Sequence, residues 1–188
     1  MACIGKILES LVMPCGAPGQ ADLGRPVSAK LLNASDIASF TVASGSIATI
    51  TRKTGAAGRD ITAANNSLVV TVGLKSQDIM PGAYDVSITF KAFSGNYSVF
   101  SDSATMGVVN QLGHAELVIA VDHGDMIKVY GLGAPLVCTE ISGDSSASEY
   151  VTYTYGVEDW QVGTTIHRLT KTDYAALSTP QPAPKPED

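Results

Sequence analysis

The sequence lacks several features that define common classes of protein. No window approaches the run of about 20 apolar residues that a membrane-spanning helix needs, although 45% of the 188 residues are hydrophobic. The three cysteines, Cys3, Cys15 and Cys138, include no CxxC pair and leave an odd number, so neither a zinc knuckle nor a disulfide framework is indicated. We therefore expect synthesis in a reducing cytoplasm and no membrane partner.

Basic residues are scarce in the second half of the chain. Residues 1–91 carry 8 basic and 6 acidic side chains, whereas residues 92–167 carry 1 basic and 9 acidic ones. A duplex-binding protein would cluster basic side chains on one face, so this pattern argues against that class. The asymmetry would let the acidic surface of one copy meet the basic surface of another, although a solvated acidic face explains it more simply.

Motifs for catalysis and cofactor binding are also missing. The sequence contains neither GxSxG nor SxxK. GLGAPL, residues 131–136, imitates the start of a dinucleotide loop but has no third glycine and leads into a predicted strand. His114, Asp122, His123 and Asp125 are the densest group of potential metal ligands, yet a tight turn accounts for them without a metal. We expect no enzymatic activity, no cofactor and no metal site.

What the sequence does contain is a series of alternating segments typical of β-strands. The clearest runs from Tyr84 to Lys91, where the apolar side chains of residues 84, 86, 88 and 90 share one face. Other strands are predicted over residues 27–33, 36–42, 46–52, 67–74 and 150–155. Ala115 to Glu140 predicts a half-buried β-hairpin around the turn Asp122 to Asp125, followed by a third strand.

One helix and one long loop interrupt the predicted strands. Ser101 to Gly113 has the end residues and the apolar stripe of a helix, and it is the only convincing helix in the sequence. Small and polar residues from Thr54 to Asn66 indicate a long flexible loop. Its candidate contacts between subunits are Thr54, Gly55, Gly58, Arg59 and Asp60.

The two ends of the chain differ in composition from the middle. Residues 1–26 indicate an extended N-terminal arm that packs either on its own domain or on a neighbouring subunit. Residues 178–188 indicate a flexible proline-rich tail. The expected fold is a single mostly β domain over residues 27–177, an antiparallel β-sandwich or barrel with one flanking α-helix.

Four stretches of the chain resemble a known family in their order and in their residue patterns. They are the MAC start with its Gly/Pro-rich arm, LLNASDIASFTV leading into SIATITRKTG, the predicted helix followed by ELVIAVDHGD, and IKVYGLGAPLVCTE. Together they span most of residues 1–155 and resemble the tail tube proteins of tailed bacteriophages, especially phages of Bacteroidetes. The loop Ser142 to Ser148 and the tail after Ser178 have no counterpart in that resemblance.

The resemblance implies a structural protein of the virion tail, made in the bacterial host cytoplasm. It implies a sandwich or barrel flanked by a helix that assembles into stacked rings, an architecture shared with contractile injection systems. Its partners would be other copies of itself and other tail or neck proteins, and DNA would pass through without specific binding. Glu116, Asp122 and Asp125 are candidates for the channel wall, where like charges would keep DNA from adhering.

Two other functions remain open from the sequence. A capsid decoration or head-to-tail connector protein would form a monomer or trimer that binds to shells, whereas a tube protein would form rings or tubes. A carbohydrate-binding, adhesin-like β-sandwich would need exposed aromatic side chains and a calcium site. For that role the chain offers only Trp160 and a few tyrosines.

Overall fold

A computed structural model describes residues 28–43, 47–61, 63, 67–74, 84–93, 111–143, 150–157 and 165–183. The expected N-terminal arm, residues 1–26, lies outside these residues, as does Trp160. Most of the helix predicted over Ser101 to Gly113 also lies outside them, and its described residues, 111–113, are helical.

The described residues form eleven β-strands. In chain order these are β1 (Ser28–Asn33), β2 (Ile37–Ala43), β3 (Ile47–Arg52), β4 (Arg59–Ile61), β5 (Val69–Leu74), β6 (Tyr84–Phe93), β7 (Leu117–Asp122), β8 (Ile127–Leu132), β9 (Val137–Gly143), β10 (Tyr150–Gly156) and β11 (Thr165–Leu169). A 3-10 turn (Ala34–Asp36) joins β1 to β2, and a C-terminal helix (Lys171–Ala176) follows β11. The six predicted strand segments and the predicted hairpin are confirmed as β1, β2, β3, β5, β6, β10 and the β7–β8 pair.

The strands form two sheets that pack face to face. The seven-stranded sheet has the order β2-β3-β11-β8-β7-β1-β4, and the four-stranded sheet has the order β5-β6-β10-β9. Most neighbours pair antiparallel, and the exception is a single parallel contact between Arg168 of β11 and Ile47 of β3. The expected mostly β fold is confirmed as a sandwich-like arrangement of two sheets. The third strand predicted after the hairpin, β9, lies in the opposite sheet from β7 and β8.

The larger hydrophobic core lies between the two sheets. Phe90 of β6 stacks on Tyr155 of β10, with 5.9 Å between the ring centroids. The central side chains come from β6 on one side and β7 on the other: Val86, Ile88 and Phe90 against Leu117, Ile119 and Val121, all at most 1% exposed. The apolar face that alternation predicts for β6 is therefore confirmed.

A second hydrophobic cluster covers the opposite face of the seven-stranded sheet. Val118 and Ala120 of β7 belong to it, together with Tyr174 of the C-terminal helix and Leu177. Every residue of β7 from Leu117 to Val121 is consequently buried. The prediction of a half-buried hairpin is wrong on this point, because a third layer of structure covers the face that alternation assigns to solvent.

The C-terminal helix is a further correction, since Ser101 to Gly113 was expected to be the only convincing helix. Thr170 caps its start: the Thr170 hydroxyl oxygen accepts a hydrogen bond from the backbone N–H of Asp173 at 3.1 Å. A helix of six residues is too short to be stable alone, so the burial of Tyr174 and Leu177 against the sheet must hold it in place. Among the described residues, no helix combines the length and hydropathy needed to cross a bilayer.

The segment from Thr54 to Asn66 is not a continuous loop. Its residues Arg59–Ile61 form β4, which pairs with β1 through Leu31 opposite Arg59 and Lys30 opposite Asp60. Two of the five candidate contact residues, Arg59 and Asp60, therefore lie in an edge strand of the large sheet. The sequence does not reveal this strand because its three residues show no period of their own, and their pairing is with a strand about 30 positions away.

Candidate assembly surfaces

The acidic turn between β7 and β8 is ordered by its own residues. The Asp122 carboxylate accepts a hydrogen bond from the backbone N–H of Gly124 at 2.7 Å, and the His123 N–H donates to the carbonyl of Met126 at 3.0 Å. Gly124 has a φ of 86°, which glycine adopts without strain. Asp125 is exposed beside it. The structure thus brings Asp122 and Asp125 together at one tip of the sandwich.

Glu116 is not part of this tip. It directly precedes β7, whereas Asp122 ends that strand, so the two residues lie roughly 20 Å apart along it. His114 lies on the same side as Glu116, and the four potential metal ligands of the sequence therefore do not converge. Across the described part of the chain, no group of three or more His, Cys, Asp or Glu side chains could hold a metal ion.

His123 connects the acidic tip to the core. Its Nε2 atom lies 3.3 Å from the hydroxyl of Tyr130, a side chain that is 1% exposed. Partial burial, helped by the positive charge of Lys128, lowers the pKa of His123, while Asp125 and Asp122 oppose that shift. Burial raises the pKa of Tyr130 to about 12. The pair is therefore neutral near pH 7 and is suited to joining the turn to the sheet.

Gly131, in the motif that imitates a dinucleotide loop, has a structural role in β8. Opposite β11 the register shifts, with Tyr130 facing Ile166 and Leu132 facing Thr165, so Gly131 is the extra residue of a β-bulge. Its φ is 88°, and a Cβ atom there would lie 2.8 Å from the carbonyl oxygen of Leu117. The bulge lets Tyr130 join the core between the sheets and Leu132 join the second cluster.

The loop before β4 is closed by the chain that follows the C-terminal helix. The Gly58 N–H donates to the carbonyl of Leu177 at 2.7 Å, and the Gly55 N–H donates to the carbonyl of Gln181 at 2.9 Å. The Gln181 N–H in turn donates a hydrogen bond to the carbonyl of Ala56 at 3.0 Å. The first residues of the expected flexible tail are therefore hydrogen-bonded, while residues 184–188 lie outside the described chain. Of the candidate contact residues, Thr54 and Gly55 remain exposed.

Arg52, the last residue of β3, also connects the loop before β4 to the chain that follows the C-terminal helix. Its guanidinium donates to the carbonyls of Ala176 at 3.1 Å, Leu177 at 2.5 Å, Thr179 at 2.8 Å and Ala56 at 3.1 Å. These include carbonyls at the end of the C-terminal helix, which have no partner within the helix. Burial lowers the pKa of Arg52, and at 7% exposure the side chain is committed to its own subunit.

Lys30 and Asp60 form a second polar connection to the tail. The Lys30 ammonium lies 2.5 Å from the Asp60 carboxylate, and it also donates to the hydroxyl of Ser178. The Ser178 hydroxyl donates to Asp60 at 2.9 Å, and Lys30 lies 5.0 Å from the centroid of the Tyr174 ring. Asp60 therefore serves contacts within the chain, which weakens its candidacy as an inter-subunit residue.

The exposed apolar side chains concentrate at the edges of the two sheets. Strands β2, β5 and β9 are edge strands, and β3 neighbours β2. All six of the large exposed hydrophobic residues found in the described chain lie on these four strands: Phe40, Val42, Ile47, Val69, Val72 and Ile141. Alternation places Val72 on the apolar face of β5, yet it is 42% exposed, because an edge strand has a neighbour on one side only. These edges, which the sequence prediction overlooked, are the best candidates for contacts between copies.

A shallow groove runs beneath β2. It has a volume of about 430 Å³ and is lined mainly by apolar side chains, among them Ile37, Phe40, Val118, Leu132 and Pro135. Phe40 is 38% exposed, and its ring centroid lies 6.4 Å from that of His167. The signal for this surface in the sequence is the uncharged run from Ile37 to Ala43, which would be unusual for an isolated edge strand.

Comparison of the chain with protein-family models, with curated proteins and with solved structures found no match.

Proposed function

We propose that the chain is a structural virion protein that assembles into stacked rings and forms the tail tube of a phage, the conduit for its DNA. The observation that carries this proposal is the position of the six large exposed hydrophobic residues of the described chain: five lie on edge strands, and the sixth, Ile47, lies on β3 beside the edge strand β2. Apolar residues grouped in this way favour contacts between subunits.

Among the described residues, no strand pairs with the outer side of β2 or β5. Natural proteins protect exposed edge strands with charges or proline. β2 (IASFTVA) and β5 (VVTVGL) contain neither. Such edges are liabilities in a protein that works as a monomer, but they are suited to pairing with other copies of the chain.

The two open edges belong to different sheets, which favours rings. An edge of one sheet that meets a different edge of the next copy makes a head-to-tail contact, and such contacts close into a ring when the rotation allows it. A second, stacking interface would then extend rings into a tube.

Asp122 and Asp125 are the stronger candidates for the channel wall. They share one tip of the sandwich, where an acidic surface would repel the phosphates of passing DNA. Glu116 lies at the far end of β7. It can contribute to the same wall only if β7 runs along the channel axis.

Electron microscopy of the purified protein tests the proposal. We expect rings or tubes at high concentration from the wild type, and loss of both from Val42→Lys, because the charge would enter an apolar edge contact. Ala175→Lys, on the exposed side of the C-terminal helix, is the matched control and should assemble normally. Circular dichroism checks that each variant is folded.

Other outcomes would point elsewhere. A monomer or trimer that binds only to capsid shells would favour a decoration or connector protein. Rings that form equally well with Val42→Lys would show that the β2 edge is not the contact.

A further inference from the structure

The groove beneath β2 is an exposed apolar surface, and burying it against other apolar side chains would be favourable. None of its ten lining residues is charged, and its volume of about 430 Å³ falls in the range of pockets that enclose ligands, about 300–1,000 Å³. Phe40 of β2 and Leu132 of β8 both line it. A segment that carries several aliphatic side chains would therefore fit this groove.

The N-terminal segment of the chain carries such a set. Ile4, Ile7, Leu8 and Leu11 follow the spacing i, i+3, i+4, i+7, which places apolar side chains on one face of a helix. The residues between them include a lysine, a glutamate and a serine, and Pro14 ends the pattern. A segment this short is marginal as an isolated helix in water. Its apolar side chains therefore need a partner surface.

The connection between this segment and the groove is long enough. Residues 14–27 separate the apolar segment from β1 and can span up to about 45 Å when extended. β1 begins at Ser28 and ends at Asn33, a length of roughly 20 Å. The groove lies at the far end of β1, where Ala34 lines it. The chain can thus double back along its own first strand.

We propose that residues 4–12 pack the aliphatic side chains of Ile4, Ile7, Leu8 and Leu11 into the β2 groove of their own subunit. A tether of this length keeps the segment near its own groove at an effective concentration in the millimolar range. That exceeds the concentration of other copies in dilute solution. The contact lies within one chain and does not depend on ring assembly.

Cross-linking from the natural Cys3 tests the contact in the full-length chain. With Cys15→Ser and Cys138→Ser in place, Ser39→Cys introduces a thiol at the groove, and Thr71→Cys introduces a matched exposed thiol on the other sheet. After treatment with a short bismaleimide, we expect about tenfold more intrachain cross-link to residue 39 than to residue 71, as a local effective concentration requires. Mixing ¹⁴N- and ¹⁵N-labelled protein separates intrachain from interchain products by mass.

A second pair of variants shows whether apolar packing makes the contact. Ile7→Asp with Leu8→Asp should reduce the cross-link at residue 39 to the level at residue 71, whereas Lys6→Ser, between apolar positions, should leave it unchanged. Equal cross-linking at residues 39 and 71 would overturn the proposal. So would products that are only interchain, or a cross-link that survives the double aspartate variant.

Discussion

Two hairpins of the seven-stranded sheet have similar composition and opposite surroundings. β7 and β8 lie in the middle of the sheet, and β7 is buried over Leu117 to Val121. β2 and β3 lie at its edge, and β2 is exposed from Ala38 to Ala43. Both hairpins are rich in apolar and β-branched residues, so composition alone does not decide which one enters the core.

What separates the two hairpins is the number of layers that cover them. β7 has the four-stranded sheet on one face and the C-terminal helix on the other. Within the described part of the chain, β2 has one neighbouring strand and an open groove beneath it. The central hairpin therefore stabilises the fold, and the edge hairpin leaves its apolar side chains available for contacts.

The largest contrast should appear when one side chain in each hairpin is truncated. Ile119→Ala removes a fully buried side chain and should lower the free energy of unfolding by about 2–5 kcal/mol. Val42→Ala, at 45% exposure, should change it by less than about 0.5 kcal/mol. Urea denaturation of both variants at a concentration where the protein is monomeric measures the difference. Equal losses would show that the edge hairpin is packed after all.

The next effect concerns the contacts that hold the C-terminal helix and Leu177 against the seven-stranded sheet. Arg52→Met leaves the carbonyls of Leu177 and Thr179 without their donor, and we expect a loss of about 2–4 kcal/mol. Lys53→Met, at the exposed neighbouring position, is the control and should be nearly neutral. Denaturation measures stability, and hydrogen exchange should show faster opening of the C-terminal helix in the Arg52 variant. A neutral Arg52→Met would mean that apolar contacts alone hold that layer.

Local patterns explain how much of this fold could be predicted. The alternation of β6 and the Gly-containing turn after β7 are set by residues close in sequence, and both features are confirmed. The burial of β7 on both faces could not be predicted in this way. It depends on Tyr174 and Leu177, which lie more than 50 positions away and reach the sheet through contacts such as those of Arg52.

The same limit applies to the candidate surfaces. The acidic tip could be predicted because Asp122 and Asp125 belong to one turn. The distance between Glu116 and this tip depends on the length of β7, which the structure shows. The short strand Arg59–Ile61 and the six-residue C-terminal helix are stabilised by long-range pairing and capping. Thr170 and Asp173 are the one local signal that could have revealed the helix.

A smaller effect should distinguish two glycines of the central hairpin, Gly124 in its turn and Gly131 within β8. Gly131→Ala introduces a Cβ atom 2.8 Å from a backbone oxygen at a φ of 88°, whereas Gly124→Ala meets open space at a φ of 86°. The left-handed backbone alone costs an alanine about 1–2 kcal/mol, so Gly124→Ala should lose about that much and Gly131→Ala should lose more. Thermal unfolding of both variants measures the gap. Equal losses would show that the bulge shifts to accommodate a methyl group.

The smallest effect is a pH dependence from the tip of the central hairpin. Partial burial and Lys128 lower the pKa of His123, so below about pH 6.5, the ordinary histidine pKa, the unfolded chain binds a proton that the folded chain resists. The free energy of unfolding should therefore fall as the pH is lowered from about 7.5 to about 5.5. His123→Gln should lose less stability over this interval than the wild type. If His123→Gln shows the full wild-type loss, the proton is taken up elsewhere, with His167, whose pKa burial also lowers, as the next residue to replace.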